Sequence, residues 1–207
     1  MKLLAVDGNK MITKKELLSC AISKFTQMGS KHVSLDEIAQ TLGISKKTIY
    51  TFYSNKAALV TASLERLVDD YKQDINEIIA NNGNDPILCV ILIYKSGFGY
   101  LKYFKPAFLF GLEKYYPKAY KIFQDFTDEL AFSTVYNLLV EAQKSGDINP
   151  GVNLKLAVRI YFLRIDNVAF KENNLFDLYG KEVLFKHMVI YNLKGLTSST
   201  YSNSYFE

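Results

Sequence analysis

The sequence predicts an all-α protein in which three short N-terminal helices lead a longer helical bundle, about nine helices in all. Three observations point that way. Helix-start signatures recur along the chain, with apolar residues behind them at three- and four-residue spacing. Clusters of Gly, Pro, Asn and Ser separate these segments. No stretch shows convincing strand alternation, and no fixed-period repeat is present.

The elements follow in order. Thr13-Lys14-Lys15-Glu16 is a capping box, in which a threonine oxygen takes a backbone amide and the glutamate reaches back. Leu17, Ala21, Ile22, Phe25 and Met28 follow, and Gly29 stops the helix. Ser34-Leu35-Asp36-Glu37 is a second capping box, and Gly43 ends that short helix. Ser45 caps a third, carrying Ile49, Tyr50 and Phe52. Ser54-Asn55 opens a long helix to about Ala80.

A loop at 81–85 precedes Pro86, which suits a first helical position. The next helix runs to about Tyr103. A short one lies between Lys105-Pro106 and Tyr116-Pro117, and a long one between Pro117 and Lys144. Beyond the turn cluster at 145–151, helices are expected at about 154–170 and 178–194. The tail 197–207 is rich in serine and asparagine and is expected to be disordered. The domains so predicted are 1–56, 57–196 and this tail.

Composition narrows the class. Of 207 residues, 49% are hydrophobic and 22% charged, which suits a globular core. The longest apolar run, Ile87 to Tyr94, is far short of the ~20 residues that span a bilayer. The first residues offer no signal-peptide core. No membrane association and a cytoplasmic location are therefore expected. Cys20 and Cys89, both within apolar helical patterns, read as buried thiols.

The net charge of +4 is unevenly placed: residues 1–56 carry nine lysines and four carboxylates, a net +5. A basic front end suits a polyanionic partner, and equally a lysine-rich solvated face.

The informative stretch is Ser34 to Lys56, SLDEIAQTLGISKKTIYTFYSNK. Two short helices meet at a tight turn, Gly43-Ile44, and small Ala39 permits close crossing. Leu35, Ile38, Leu42, Ile44 and Ile49 are placed to share a small core with the helix before them. This is helix-turn-helix logic, with the second helix presented to a major groove. Lys46, Lys47 and Thr48 open that helix, and these residue types can donate to base edges or phosphates. Its N-terminus, capped by Ser45, adds amide donors for phosphate. A merely solvent-exposed, well-capped helix has the same sequence requirements.

The segment from Ile12 to Leu59 resembles the DNA-binding domain of the tetracycline-repressor (TetR) family. The features that carry the resemblance are Ala21, Phe25 and Gly29, then Ile38-Ala39, Leu42-Gly43-Ile44-Ser45, Thr48-Ile49-Tyr50, Lys56 and Leu59. Tyr53 stands where the family usually has phenylalanine, and Lys47 where many members have glycine. The resemblance implies that Ser34, Tyr50 and Lys56 contact the DNA backbone. It places Lys46, Lys47, Thr48, Thr51 and Phe52 toward the groove, although Phe52 also suits inward packing. His32 is either a phosphate neighbour or an ordinary loop histidine.

It further implies a dimer on a near-palindromic double-stranded operator and a small-molecule effector held by the later helices. Aromatics crowd those helices as core or as cavity wall. Phe98, Phe110, Tyr136 and Phe162 are the expected pocket wall. Gly97 and Gly99 lie within the same helical pattern. The last two helices carry Ala157, Ile160, Tyr161, Ile165, Val168 and Ala169, then Leu184, Met188, Tyr191 and Leu193. These suit a dimer face, or closure of the monomer core.

No enzyme is expected. There are two histidines and two separated cysteines, and no Gly-rich phosphate loop or nucleophile elbow. No metal and no cofactor are expected. The rival reading is a helical ligand-binding or protein-interaction module without a transcriptional role.

Overall fold

The computed structural model describes residues 4–7, 10–100, 103, 106–166 and 175–207. Its elements are β1 (Leu4–Asp7), β2 (Lys10–Thr13), α1 (Lys14–Met28), α2 (Leu35–Leu42), α3 (Lys46–Phe52), α4 (Lys56–Asn82), α5 (Pro86–Tyr100), α6 (Pro106–Tyr115), α7 (Pro117–Glu129), α8 (Tyr136–Lys144), α9 (Leu154–Asp166), α10 (Leu175–Leu178), α11 (Lys181–Phe185) and α12 (Tyr191–Leu196). A π segment, Leu130–Val135, joins α7 to α8, and another, Lys186–Ile190, joins α11 to α12. Among the described residues the architecture is all-α apart from one hairpin.

The chain divides into two compact units, Met1–Asp69 with Lys102–Gln124, and Asp70–Leu101 with Asp125–Glu207. The boundary expected after residue 56 would fall at the start of α4, whereas the two units divide within that helix, between Asp69 and Asp70. That helix is a single uninterrupted element and contributes to both units.

In the first unit, both capping boxes form. Thr13 Oγ1 accepts from the Glu16 amide at 3.1 Å, and the Glu16 carboxylate accepts from the Thr13 amide at 2.7 Å. Gly29 and Gly43 follow α1 and α2 with positive φ, 84° and 63°, which a side chain would disfavour. Leu17, Ala21 and Phe25 of α1, Ile38 of α2, Ile49 of α3 and Leu59 of α4 are fully buried. Leu35 is buried with them, whereas Leu42 and Ile44 are only half-buried.

The hairpin was not expected. Its strands pair antiparallel with Leu4 opposite Thr13 and Asp7 opposite Lys10. Four-residue strands are too short for alternation to register; the Gly8-Asn9 dipeptide between them is the sequence signal. β1 lies beside α3 and β2 beside α1.

In the second unit, Asp85 caps α5, its Oδ1 accepting from the Leu88 amide at 2.9 Å. Ile87, Cys89, Val90, Ile91 and Ile93 are fully buried. α5 packs on α8 and on the segment 181–190. Tyr71, at the second-unit end of α4, donates to the Ile93 carbonyl at 2.7 Å and stacks on Tyr100 at 4.8 Å. Cys20 and Cys89 are free thiols, the first half-buried and the second buried.

Two expectations differ here. The last helix does not start at Leu178: the chain breaks at Tyr179-Gly180, and Gly180 precedes α11. Residues 197–207 are not loose. Tyr201 donates to both Asp85 oxygens at 2.9 and 3.1 Å, Asn149 donates to the Thr197 carbonyl, and Lys194 donates to the Phe206 carbonyl. The aromatic rings and amides in the tail find specific partners, which a polar composition alone does not reveal. Lys105, Val168 and Ala169, named above, lie outside the described residues, as does the side chain of Ile165. Among the described residues no helix is long and apolar enough to cross a membrane.

Candidate nucleic-acid interface and ligand cavity

The α2–α3 pair is held by its caps. Ser34 Oγ accepts from the Glu37 amide at 3.1 Å, and Glu37 Oε2 accepts from the Ser34 amide at 2.5 Å. Ser45 Oγ accepts from the Thr48 amide at 3.2 Å. With Ile38 and Ile49 buried between them, the two helices turn a fixed set of side chains outward.

Lys46, Lys47, Tyr50 and Thr51 are exposed on α3, with Tyr50 at 47%. Phe52 is half-buried, consistent with inward packing. Thr48 corrects the expectation: it is 5% exposed, and its Oγ1 lies 2.9 Å from Ser45 Oγ. The inward stripe of α3 takes Thr48 together with Ile49, so its hydroxyl serves the turn and does not face outward. Thr51 Oγ1 is bonded back to the Thr48 carbonyl at 2.7 Å. Ser34 is half-buried and Ser45 exposed, each as a helix cap.

Lys46 is paired with Asp36 of α2 at 2.9 Å. This pair raises the lysine's pKa, chiefly through the hydrogen bond. Both partners are largely exposed, and such pairs contribute little to stability, so a phosphate can displace the carboxylate. Asp36→Asn is therefore expected to raise affinity for random-sequence duplex several-fold and to steepen the salt dependence by up to one contact, measured by fluorescence anisotropy.

Lys56 lies at the start of α4, half-buried, with Nζ donating to the Lys31 carbonyl at 3.1 Å. Burial lowers its pKa and nearby Glu37 opposes that. Two further cations escaped the sequence reading. Lys31 Nζ is 5.0 Å from the Tyr115 ring centre and Lys114 Nζ is 5.7 Å from it. Lys31 first, then the wider lysine field, pulls the Tyr115 phenol below its usual range, although burial opposes this. Lys114 follows 58 residues after Lys56 in the chain, so spacing gave no hint of the grouping. His32 is exposed beside this cluster in sequence.

Glu37 links the cap to acidity. Its carboxyl is held below the usual range, first by the Ser34 amide and then by the Ser34 hydroxyl. A depressed folded-state pKa contributes stability above the ordinary carboxylate value and loses it as pH falls through the folded value. Denaturant midpoints measured from neutral pH downward are expected to fall less steeply in Glu37→Gln than in the parent.

The second unit contains a cavity of about 330 Å³, walled by Val90 and Tyr94 of α5, Leu139 of α8, Ala157 and Tyr161 of α9 and Leu193 of α12, with other residues. None of the four residues expected to form a pocket lines it. Phe98 is buried edge-on against Phe185, ring centres 5.5 Å apart. Phe110 is 58% exposed and belongs to the first unit. Tyr136 is half-buried, and Phe162 packs beside Tyr94 and Phe132. Large rings fill space as readily as they bound it, and only packing separates the two roles.

Residues 17–62 match the family described as bacterial regulatory proteins, tetR family. The chain is 38% identical over 64 residues to the HTH-type transcriptional regulator YhgD of Bacillus subtilis, covering 31% of this chain and 34% of that protein. It is 27% identical over 88 residues to the HTH-type transcriptional regulator BetI of Brucella suis, covering 42% of this chain and 44% of BetI. These matches span well under half of either relative. A longer match, 27% identical over 168 residues, covers 80% of this chain and 86% of the HTH-type transcriptional regulator YvaF of Bacillus subtilis.

Among solved structures, SmeT, the repressor of the Stenotrophomonas maltophilia multidrug efflux pump SmeDEF, superposes with a TM-score of 0.69 at 16% identity, covering 91% of this chain and 92% of SmeT. PfmR of Thermus thermophilus, a TetR family transcriptional regulator, gives 0.67 at 17% identity, covering 86% of this chain and 97% of PfmR. At these identities the likeness concerns the fold. Residues 17–62 thus match the tetR-family helix-turn-helix, and the chain as a whole has the fold of the solved regulators SmeT and PfmR.

Proposed function

We propose that the protein is a sequence-specific DNA-binding transcriptional regulator that works as a homodimer and is released from its operator by a small, largely apolar ligand. The observation that carries this reading is the capped α2–α3 pair, which presents Lys46, Lys47 and Tyr50 outward on one short helix. Lys46 and Lys47 read bases. Ser34, Tyr50 and Lys56 hold the backbone, with the amides at the Ser45-capped start of α3. Thr51 and Phe52 border the groove. Lys31 and Lys114 extend the positive surface of the same unit.

The dimer reading is supported by α9. Leu156, Ile160 and Leu163 recur on one face of it and are each more than half exposed. Tyr191 of α12 and Val183 of α11 are exposed as well. Apolar stripes of this kind mark association surfaces. Leu184, Met188 and Leu193, also expected on that surface, are buried within one copy and serve its core. A twofold dimer pairs two reading heads with a near-palindromic site.

α4, which belongs to both units, is the covalent route by which an occupied second unit acts on the head. A ligand shifts that equilibrium only by its differential affinity for the two states. Selection of bound sequences from random duplex DNA, followed by anisotropy at several salt concentrations, tests the reading. Enrichment of an inverted repeat with a salt-dependent affinity is expected. Failure to enrich any sequence, with no salt-dependent binding, overturns it and favours a ligand-binding module.

A further inference from the structure

Two cations of the first unit converge on one ring without an acidic partner. Lys31, in the loop between α1 and α2, and Lys114, near the end of α6, are both exposed. Their ammonium groups lie 5.0 and 5.7 Å from the centre of the Tyr115 ring, and Lys114 is also 5.5 Å from the Phe110 ring centre. Among the described residues neither lysine is ion-paired with a carboxylate. Residues 106–121 carry Lys114, Lys118 and Lys121 against the single carboxylate of Glu113, a net +2. Like charges gathered on one phenol repel each other, and an anion placed between them relieves that repulsion.

The pair is held in place by the packing beneath it. Gly111 lets α6 approach the loop closely: a Cβ there would lie 2.8 Å from the buried Ser30 Oγ. Tyr116 donates to the Ser30 carbonyl at 3.4 Å, one peptide before Lys31. The pair is also continuous with groups assigned above to the DNA backbone. Lys56 Nζ donates to the Lys31 carbonyl at 3.1 Å, and Ser34, the cap of α2, follows Lys31 by three residues. Lysine donors placed beside such groups suit phosphate oxygens, which carry no base identity.

We propose that Lys31 and Lys114, seated on the Tyr115 ring, form a second phosphate-binding patch for duplex DNA, through which the end of α6 touches the backbone beside the phosphates held by Ser34 and Lys56. The patch adds affinity on any sequence and reads no base. It rests on the DNA-binding function proposed above, and it extends the contact to a helix outside residues 17–62.

Fluorescence anisotropy with the full chain compares the parent, Lys31→Gln/Lys114→Gln and Lys47→Glu on the selected operator and on random duplex at several salt concentrations. The double variant is expected to bind both duplexes roughly tenfold or more weakly at about 0.1 M salt, with a salt slope lower by about two contacts per chain. Its preference for the operator over random duplex stays parental. Replacing single operator phosphates by uncharged methylphosphonates locates the contact: at the phosphates facing the patch the parent loses affinity and the double variant does not. Both lysines are exposed, so an unchanged thermal melt is expected.

A double variant with parental affinity and salt slope, while Lys47→Glu loses binding, overturns the patch and leaves α3 as the reading helix. A loss confined to the operator, with random duplex unaffected, also overturns it, because a phosphate contact acts on every sequence. If the parent binds no duplex at all, the function proposed above falls and the patch falls with it.

Discussion

Replacing Lys47 by glutamate is expected to weaken binding to duplex DNA by about two orders of magnitude at low salt and to reduce the salt slope by one to two contacts. Lys47 is exposed near the start of α3, where the helix amides also point outward. A carboxylate there opposes both the phosphates and the N-terminal amides' preference for DNA oxygens. The stability cost is small, because an acidic side chain suits the first turn of a helix. The variant thus separates DNA affinity from folding. Anisotropy with the selected operator and with random duplex, alongside a thermal melt, measures both. Undiminished DNA affinity with an unchanged melt rejects α3 as the reading helix. Lys46 is the less decisive position, since its pairing with Asp36 means that substitution there alters two charges' environments at once.

The second large effect is expected in the other unit. Gly97→Ala places a Cβ against the Tyr71 hydroxyl, well inside contact distance, and also within 3.2 Å of the ring carbon that bears it. Alanine in a helix interior is ordinarily favoured over glycine by about 1 kcal/mol. Here the sign reverses. Tyr71 is buried, stacked on Tyr100 and bonded to the Ile93 carbonyl, so its ring cannot yield cheaply. Overpacking of this kind costs about 1–3 kcal/mol. Tyr71→Phe removes the oxygen in closest conflict, and the double variant is expected to recover a substantial part of the loss. Urea unfolding of the parent, both single variants and the double variant measures the coupling; additive effects show that the two residues do not meet.

Gly97 also shows what a sequence pattern contains and what it omits. Two glycines close together in a helix, Gly97 and Gly99, suggest a loosened turn or a close approach. The structure separates them: a Cβ at Gly97 meets Tyr71, whereas one at Gly99 meets nothing within 4 Å. The partner of Gly97 lies 26 residues earlier on α4, beyond the reach of any local rule.

The head of the chain was legible for the opposite reason. Its determinants are local: Thr13 with Glu16, Ser34 with Glu37, Gly43 after Leu42 and Ser45 before Lys46 are contacts within one turn, and each forms as its spacing predicts. Apolar period then assigns Leu17, Ala21, Phe25, Ile38 and Ile49 to a shared core. Thr48 marks the limit. Helix position alone did not tell whether it faces the groove or the turn, because its hydroxyl suits both, and packing turned it inward.

The second unit was read less well. Phe98, Phe110, Tyr136 and Phe162 were assigned to one wall by residue type, but they occupy different surroundings and none borders the cavity. A void depends on residues from four helices far apart in sequence, and its shape is what remains after every ring has packed. The tail behaved similarly. Tyr201 reaches Asp85 across 116 residues, and serine- and asparagine-rich composition carries no record of that bond.

By itself, then, the sequence determined the all-α class, the capped helix-turn-helix and the family that residues 17–62 resemble, because those depend on contacts within a few residues and on helical period. Only the tertiary structure decided that Thr48 is buried, that Lys31 and Lys114 share a tyrosine, that the tail is tied down and that Tyr94 borders an apolar cavity with its hydroxyl unbonded. Each of those depends on residues brought together by packing, and packing is decided by all the neighbours of a side chain at once.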